Sequence, residues 1–491
     1  MFQQGSGATT QRNRVLGGDE IMTGASMSSV LQAFALLGLF LLVGTLLRAK
    51  VGWLQKLFIP ASVIGGSVGL LIGPQIWGSL TPVQYPADWV KMYSLLPGIL
   101  IIPVVASVPL GIQLSQGGEG GATARNVFNM AFLMLALFAF QLVVGGAVGA
   151  LFATTMPNLG IYDTFGLEMP MGFSGGHGTA GVIGNMLNGM GLEYWEVAQG
   201  VAVTYATIGL LGGIIAGIAI IRYLNNRKLL DGSADADNLP QSWLTGLEPD
   251  AAKRRSAGSE TTVSTSIDVL AFNLALILAG SGMAILVRAW VRSMDIPVIK
   301  AVPVWAYAII LMWLVWIVMN KLRIAWLVDP GVKGKIASSL TDFAIVAALV
   351  SMPVQGVLSY ATPIIVTAVI GFIGTVAIAF IPVRRLFSSA PYERALLTFG
   401  TASGVFLTGL LLLKIVDPDF KTAAMRDGSL AYSMNTVAGF ILLPILAGLA
   451  VQYGPISLAG VGAAVLVACI IGFWLTSLIK VAPGASAAKP E

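Results

Sequence analysis

Residues 173–185 read Phe-Ser-Gly-Gly-His-Gly-Thr-Ala-Gly-Val-Ile-Gly-Asn. They interrupt a chain that otherwise alternates long apolar runs with short polar ones. The stretch holds the one histidine of the sequence, His177. Glycine weakens a helix by up to about 1 kcal/mol per residue relative to alanine. In hydrocarbon, broken backbone survives only where protein buries it or where it lines a watery cavity. A glycine- and hydroxyl-rich break at membrane depth therefore marks a place where ions or solutes reach the backbone.

The surroundings set that depth. Of 491 residues, 56% are hydrophobic and 10% charged, with a mean hydropathy of +0.83. Soluble domains carry about 25% charged residues. The deficit runs the whole length, so the chain reads as an all-α polytopic membrane protein. The first apolar segment is too long for the core of a signal peptide. Residues 1–26 are polar and glycine-rich and read as a disordered tail. The single cysteine, Cys469, gives no disulfide framework, and one His with one Cys gives no zinc or redox-metal centre. The net charge of +5 follows from where basic residues sit against a membrane and does not argue for nucleic acid.

A crossing helix needs about 20 apolar residues. Eleven segments meet this, near 27–48, 58–79, 94–113, 127–155, 197–221, 267–290, 302–322, 339–357, 362–383, 432–452 and 456–479. Two more, 165–191 and 394–415, are interrupted by Gly, Ser and Thr and read as re-entrant. The stretch 222–266 is polar, with Asp231, Asp235, Asp237, Lys253, Arg254 and Arg255, and reads as a solvated linker. With the N-terminus outside, 22 of the 28 Lys and Arg residues fall inside. The positive-inside rule thus predicts an extracytoplasmic N-terminus and a cytoplasmic C-terminus.

The two halves, 27–221 and 267–452, share an order of features. Each has three spans, a fourth, a broken segment and a final span. Tyr162-Asp163 precedes the first broken segment and Tyr392-Glu393 the second. Five spans is an odd number, so the second half is predicted to insert upside down relative to the first. Inverted repeats with matched interruptions point to a secondary transporter with its site at the repeat interface. The tips of the broken segments are predicted to meet mid-membrane, where freed carbonyls hold cations and freed N–H groups hold anions. Residues 453–491, with the eleventh span, stand outside the repeat.

Several stretches resemble the bacterial glutamate:sodium symporter family. They are Ser174-Gly-Gly-His-Gly-Thr179, then Glu196-Val-Ala-Gln-Gly-Val-Ala-Val-Thr-Tyr-Ala-Thr-Ile-Gly-Leu-Leu-Gly-Gly213 ending at Arg222, together with Ile59–Gly66 and Leu340–Met352. The resemblance implies an inner-membrane symporter importing L-glutamate with sodium, built as two inverted five-helix repeats. It also implies a homodimer whose transport domain slides against a scaffold, an elevator. No cofactor is implied beyond Na+ as coupling ion. The second broken segment, Phe399-Gly-Thr-Ala-Ser-Gly404 with Phe406-Leu-Thr-Gly409, departs from the family's histidine-, cysteine- and proline-bearing run. That departure leaves open another small organic anion, such as a dicarboxylate, or proton coupling.

The candidate substrate-binding residues are Ser174, Gly175, Gly176, His177, Gly178 and Thr179 in the first break, and Thr401, Ser403, Gly404 and Thr408 in the second. Arg394 is the candidate partner for a substrate carboxylate. Asp342, as an intramembrane acid, is the candidate charge of a sodium site, with Thr204 and Asn435 as oxygen ligands. Each has a plainer reading: small residues pack helices closely, a lone histidine is commonly a satisfied donor, and Asp342 resembles cap chemistry. Asp163 and Glu168 read as solvated. No paired intramembrane aspartates occur, and the three-residue spacing of Ser174 and His177 suits no serine hydrolase, so an enzyme is not expected.

Overall fold

The computed structural model describes residues 24–78, 86–112, 121–230, 240–254, 256–294, 302–387, 389–418 and 420–478. Residues 1–23 of the expected tail, the acidic 231–239 part of the linker, Arg255, Lys300 and the terminus from 479 lie outside the described residues. Every regular element among the described residues is helical. The first half holds α1 (Gly24–Lys50), α2 (Ala61–Ile72), α3 (Ala87–Ser107), α4 (Gly121–Thr155), α5 (Glu168–Gly189) and α6 (Trp195–Asn226). The second holds α7 (Val269–Ser293), α8 (Val304–Lys321), α9 (Pro330–Val350), α10 (Ala361–Phe380), α11 (Pro391–Ser403), α12 (Phe406–Val416) and α13 (Ala424–Tyr453), before α14 (Pro455–Ser477).

Nine of the described helices are long and apolar enough to cross a membrane: α1, α3, α4, α6, α7, α8, α10, α13 and α14. Two of the eleven expected spans differ. Over 58–79, Pro60 precedes α2 and Gly73-Pro74 ends it, which leaves 12 residues, or about 18 Å of helix. Over 339–357, the helix starts earlier, at Pro330. Asp329 accepts the N–H of Val332 at 2.8 Å, and proline at the first helical position is preorganised for a start. Hydropathy misses this start because Lys333 and Lys335 lie in the first turns.

The halves interlock. Helix α3 packs on α9, and α4 on α10. Helix α2 packs on α9 as α8 packs on α3, and α4 on α13 as α10 on α6. Helices α5 and α6 form one of the most extensive pairs, and α11 lies against both. The other extensive pair is α4 with α14. Its closest approach is at Gly146 and Gly462, where an added Cβ would meet the facing backbone. At one end Thr476 Oγ1 donates to Asn129 Oδ1 at 2.5 Å. The last span is thus wedded to the fourth helix of the first half.

The described part of the linker is docked. Arg48 Nη2 donates to the carbonyl of Trp243 at 3.2 Å. Lys414 Nζ lies 3.4 Å from the Trp243 ring centroid, a cation–π contact. Thr261 Oγ1 donates to Leu327 O at 2.7 Å.

Candidate functional site

The first break is a single residue. Gly176 has φ 65° and ψ −162° inside an otherwise helical α5. Only glycine adopts this region without strain. The second break spans Gly404 (φ −145°, ψ −94°) and the extended Val405 (φ −149°, ψ 169°) between α11 and α12. The two breaks meet. A Cβ on Gly176 would collide with Val405 Cγ1 and lie 3.3 Å from the Gly404 carbonyl oxygen. The tip contact expected from sequence is present, and a missing side chain at Gly176 makes room for it.

The aromatic packing around the tips is reciprocal. Phe173 of α5 and Phe399 of α11 both stand edge-on to Phe372 of α10, at centroid distances of 6.3 and 6.0 Å. On the far side α6 approaches α11 closely, because Gly209 and Gly213 face Ser403.

Beside the tips lies a cavity of about 280 Å³. Ser174, Gly175 and Thr179 line it from α5, Thr401 from α11, and Asn435 and Thr436 from α13. Phe138, Leu142, Phe440 and Val461 are among its apolar walls, and none of the described residues that line it is charged. Thr179 Oγ1 donates toward Met171 O (2.5 Å) and Gly176 O (2.9 Å), which secures the broken turn. Thr401 Oγ1 donates to Leu397 O at 2.7 Å.

Gln141 of α4 ties both broken segments together, and sequence reasoning missed it. It is fully buried. Its Nε2 donates to Thr375 Oγ1 (3.0 Å) and to Ala402 O (2.9 Å), while its Oε1 accepts from Ser174 Oγ at 3.3 Å. The available signal was a lone amide within the apolar run Phe138-Ala-Phe-Gln-Leu-Val-Val144.

The remaining candidates fall elsewhere. His177 Nε2 lies 2.9 Å from Thr207 Oγ1. Because Thr207 donates its hydroxyl hydrogen to Val203 O, the contact assigns the imidazole N–H to Nε2. Gly178 faces Thr341 of α9. Ser403 donates to Phe399 O (2.8 Å), and Thr408 N donates to Val405 O (2.8 Å), closing the first turn of α12. Arg394 is away from the cavity. It is 1% exposed and pairs with Asp427 at 2.8 Å, and it also donates to Ser389 O. Its guanidinium is committed to that buried pair.

The three sodium candidates are dispersed. Asp342 is exposed on α9 and faces Ser62. Thr204 bonds Gly200 O on its own helix and touches Met352 Sδ at 3.9 Å. Asn435 donates to Ala131 O and Ala431 O, both at 3.0 Å, on the cavity side.

Glu168 requires a correction. Sequence reading makes it solvated alongside Asp163. Asp163 is exposed, but Glu168 is 0% exposed. It opens α5, and its Oε2 accepts the N–H of Gly166 at 2.8 Å. This resembles the return half of a capping box. Tyr162, Phe165, Tyr194 and Tyr360 form an aromatic wall at this end, with Tyr162 and Tyr194 stacked at 4.7 Å. Burial there pushes the Tyr194 phenol up to about 12.

Comparison with known proteins follows the same residues. A family profile described as sodium/glutamate symporter matches residues 27–406. The sodium/glutamate symporter of Haemophilus influenzae is 28% identical over 249 residues, which cover 49% of this chain and 56% of the relative. The chain therefore spans a little over half the length of that relative.

Proposed function

The chain belongs to the sodium/glutamate symporter family, and from that premise we propose that it imports L-glutamate with sodium across the bacterial inner membrane. The observation that carries this reading is the contact of two broken helices, Gly176 against Gly404 and Val405, beside a cavity that both segments line. Such an arrangement suits a secondary transporter, whose site lies where discontinuous helices meet. Five of the candidate residues, Ser174, Gly175, Thr179, Thr401 and Asn435, line that cavity. The transporter class is not an enzyme class, and sodium, as coupling ion, takes the place of a cofactor.

We extend the proposal to mechanism. The chain is two inverted repeats, 27–221 and 267–452, with α14 appended. The reciprocal pairing of α2–α9 with α8–α3, and of α4–α13 with α10–α6, supports a two-fold relation, in which each half offers the other the same surfaces. Alternating access proceeds by elevator motion within a homodimer, with the N-terminus outside. Sodium binding orders the broken segments and so lowers the entropic cost of binding glutamate. The two ligands then raise each other's affinity by the same factor. With no charged side chain among the described residues of the cavity, the substrate carboxylates meet backbone N–H groups at the breaks and the hydroxyls of Ser174, Thr179 and Thr401.

Uptake of radiolabelled glutamate into proteoliposomes tests this. Uptake is expected under an inward sodium gradient and is lost when choline replaces sodium. Citrate or malate driving sodium-dependent uptake where glutamate fails would replace the substrate. A proton gradient sufficing without sodium would replace the coupling ion.

A further inference from the structure

Glu168 places a carboxyl where, among the described residues, no cation pairs with it. Its carboxyl is fully buried, and Oε2 is held by Gly166 N–H at 2.8 Å. Among the described residues the other oxygen, Oε1, has no hydrogen bond of good geometry. The groups that act on it are the Tyr162 hydroxyl and the local backbone N–H groups, and among the described residues none is a cation. Around it are further buried oxygens without a hydrogen bond of good geometry: Tyr162 Oη, Thr164 Oγ1, Tyr194 Oη, Tyr205 Oη and Thr367 Oγ1. They lie around the first turns of α5: Tyr162 and Tyr194 stack at 4.7 Å, Tyr205 lies against Gly172, and Thr367 is one turn before Gly371, which Met169 meets. Tyr162, Thr164, Tyr205 and Thr367 are each at most 6% exposed.

Buried charges in proteins are paired or bind ions, and buried polar atoms find partners. One carboxylate calls for one positive charge. A divalent ion would overcompensate it. A proton would neutralise it at a single oxygen and leave the surrounding hydroxyls as they are. A hard monovalent cation neutralises it and draws several of these oxygens at once. We propose that Glu168, with the hydroxyls of Tyr162, Tyr205 and Thr367, forms a sodium site at the start of α5. The site belongs neither to Asp342 nor to the cavity beside the breaks. It rests on the reading that sodium is the coupling ion, and it gives that ion a place on the element that bears the first break. Gly176 lies eight positions after Glu168, so an ion held at the first turn of α5 fixes the half-helix leading to the tip contact.

The test is sodium-dependent thermal stabilisation of the full-length purified protein without substrate, in sodium chloride against choline chloride. The wild type is expected to melt higher in sodium, and Glu168→Gln is expected to lose most of that gain. Tyr205→Phe and Thr367→Val keep the charge and remove one oxygen each. They are expected to raise the half-effective sodium concentration several-fold, and they decide the matter if Glu168→Gln does not fold. A full sodium response in Glu168→Gln, or unchanged half-effective concentrations in both hydroxyl variants, overturns the site while leaving sodium coupling intact. A wild type that is indifferent to sodium but stabilised by acid overturns sodium coupling and this site together.

Discussion

Replacing Gly176 with alanine tests whether the two broken helices bear on each other. Two costs act at that position. The backbone, at φ 65° and ψ −162°, lies where a residue with a Cβ stores about 1–3 kcal/mol. The new methyl also collides with Val405 Cγ1 and crowds the Gly404 carbonyl at 3.3 Å. Overpacking of this kind costs a further ~1–3 kcal/mol. Gly176→Ala should therefore destabilise the protein by about 2–6 kcal/mol if the site does not relax. The two terms separate, because only the second depends on Val405. Val405→Ala alone removes two methyl groups, for about 0.5–1.5 kcal/mol by analogy with other small truncations. In the double variant the collision is relieved and only the backbone cost remains.

A double-mutant cycle then reads the contact directly. The expected coupling is at least about 1 kcal/mol, in the sense that the double variant is more stable than the sum of the singles. Thermal or denaturant unfolding of the four proteins in detergent supplies the numbers, with sodium-driven uptake measured in parallel. Strict additivity would mean that residues 176 and 405 do not touch, and the meeting of the breaks would have to be abandoned. A Gly176→Ala variant as stable and active as the wild type would refute the positive-φ assignment as well.

Other consequences follow from named contacts. Gln141→Leu strands the Ala402 carbonyl and the Ser174 hydroxyl; it should cost about 1–3 kcal/mol, and Gln141→Glu should not restore the wild type because it lacks the two donated hydrogens. Arg394→Ala leaves Asp427 buried with only Arg426, at 3.1 Å, so about 3–5 kcal/mol is expected, reduced by that remaining neighbour; the surviving protein should show an unchanged KM for substrate, whereas a carboxylate-binding Arg394 would raise it. Lys414→Ala removes the cation over Trp243 and should release the linker around that residue, detected as faster proteolysis between residues 240 and 268. Asn435→Leu and Thr401→Leu fill the cavity with apolar volume and should abolish uptake; each also removes a donor, to Ala131 O or to Leu397 O, so a stability loss of about 1–3 kcal/mol is expected alongside.

Much of the helical order was legible because hydropathy reads the membrane. The nine described helices long and apolar enough to cross overlap expected segments, and both breaks lie inside the stretches chosen for their glycine and hydroxyl content. Less was legible wherever a local signal cuts across hydropathy. Lys333 and Lys335 hide the start of α9, although Asp329-Pro330 states it in capping chemistry. Among the candidate site residues, the small ones stand out in sequence because their composition is unusual. Gln141 was not, because a single amide has no neighbours in sequence that betray its partners 33, 234 and 261 residues away. Arg394 shows the opposite situation. Its charge and position beside a break suggest a substrate ligand, but Asp427 lies 33 residues on and only the fold brings it to 2.8 Å.

Arg394 and Glu168 also show how differently the two broken segments begin. Each segment carries an acid in its first turn, Glu168 in α5 and Glu393 in α11, and both are buried. A helix N-terminus favours negative charge by about 0.3–1 kcal/mol, which is far too little to keep a carboxylate ionised without water. At α11 the neighbourhood holds permanent charge: Arg394 and Arg426 both reach Asp427. At α5 the neighbourhood consists of phenols and threonine hydroxyls. Permanent pairing makes α11 an anchor whose electrostatics do not change with conditions. Hydroxyls without a cation make α5 responsive to whatever monovalent ion the solution supplies. If the halves move against the rest of the fold during transport, the ion-dependent ordering therefore belongs to the first break, and variants at Glu168 should shift sodium dependence while variants at Arg394 shift stability alone.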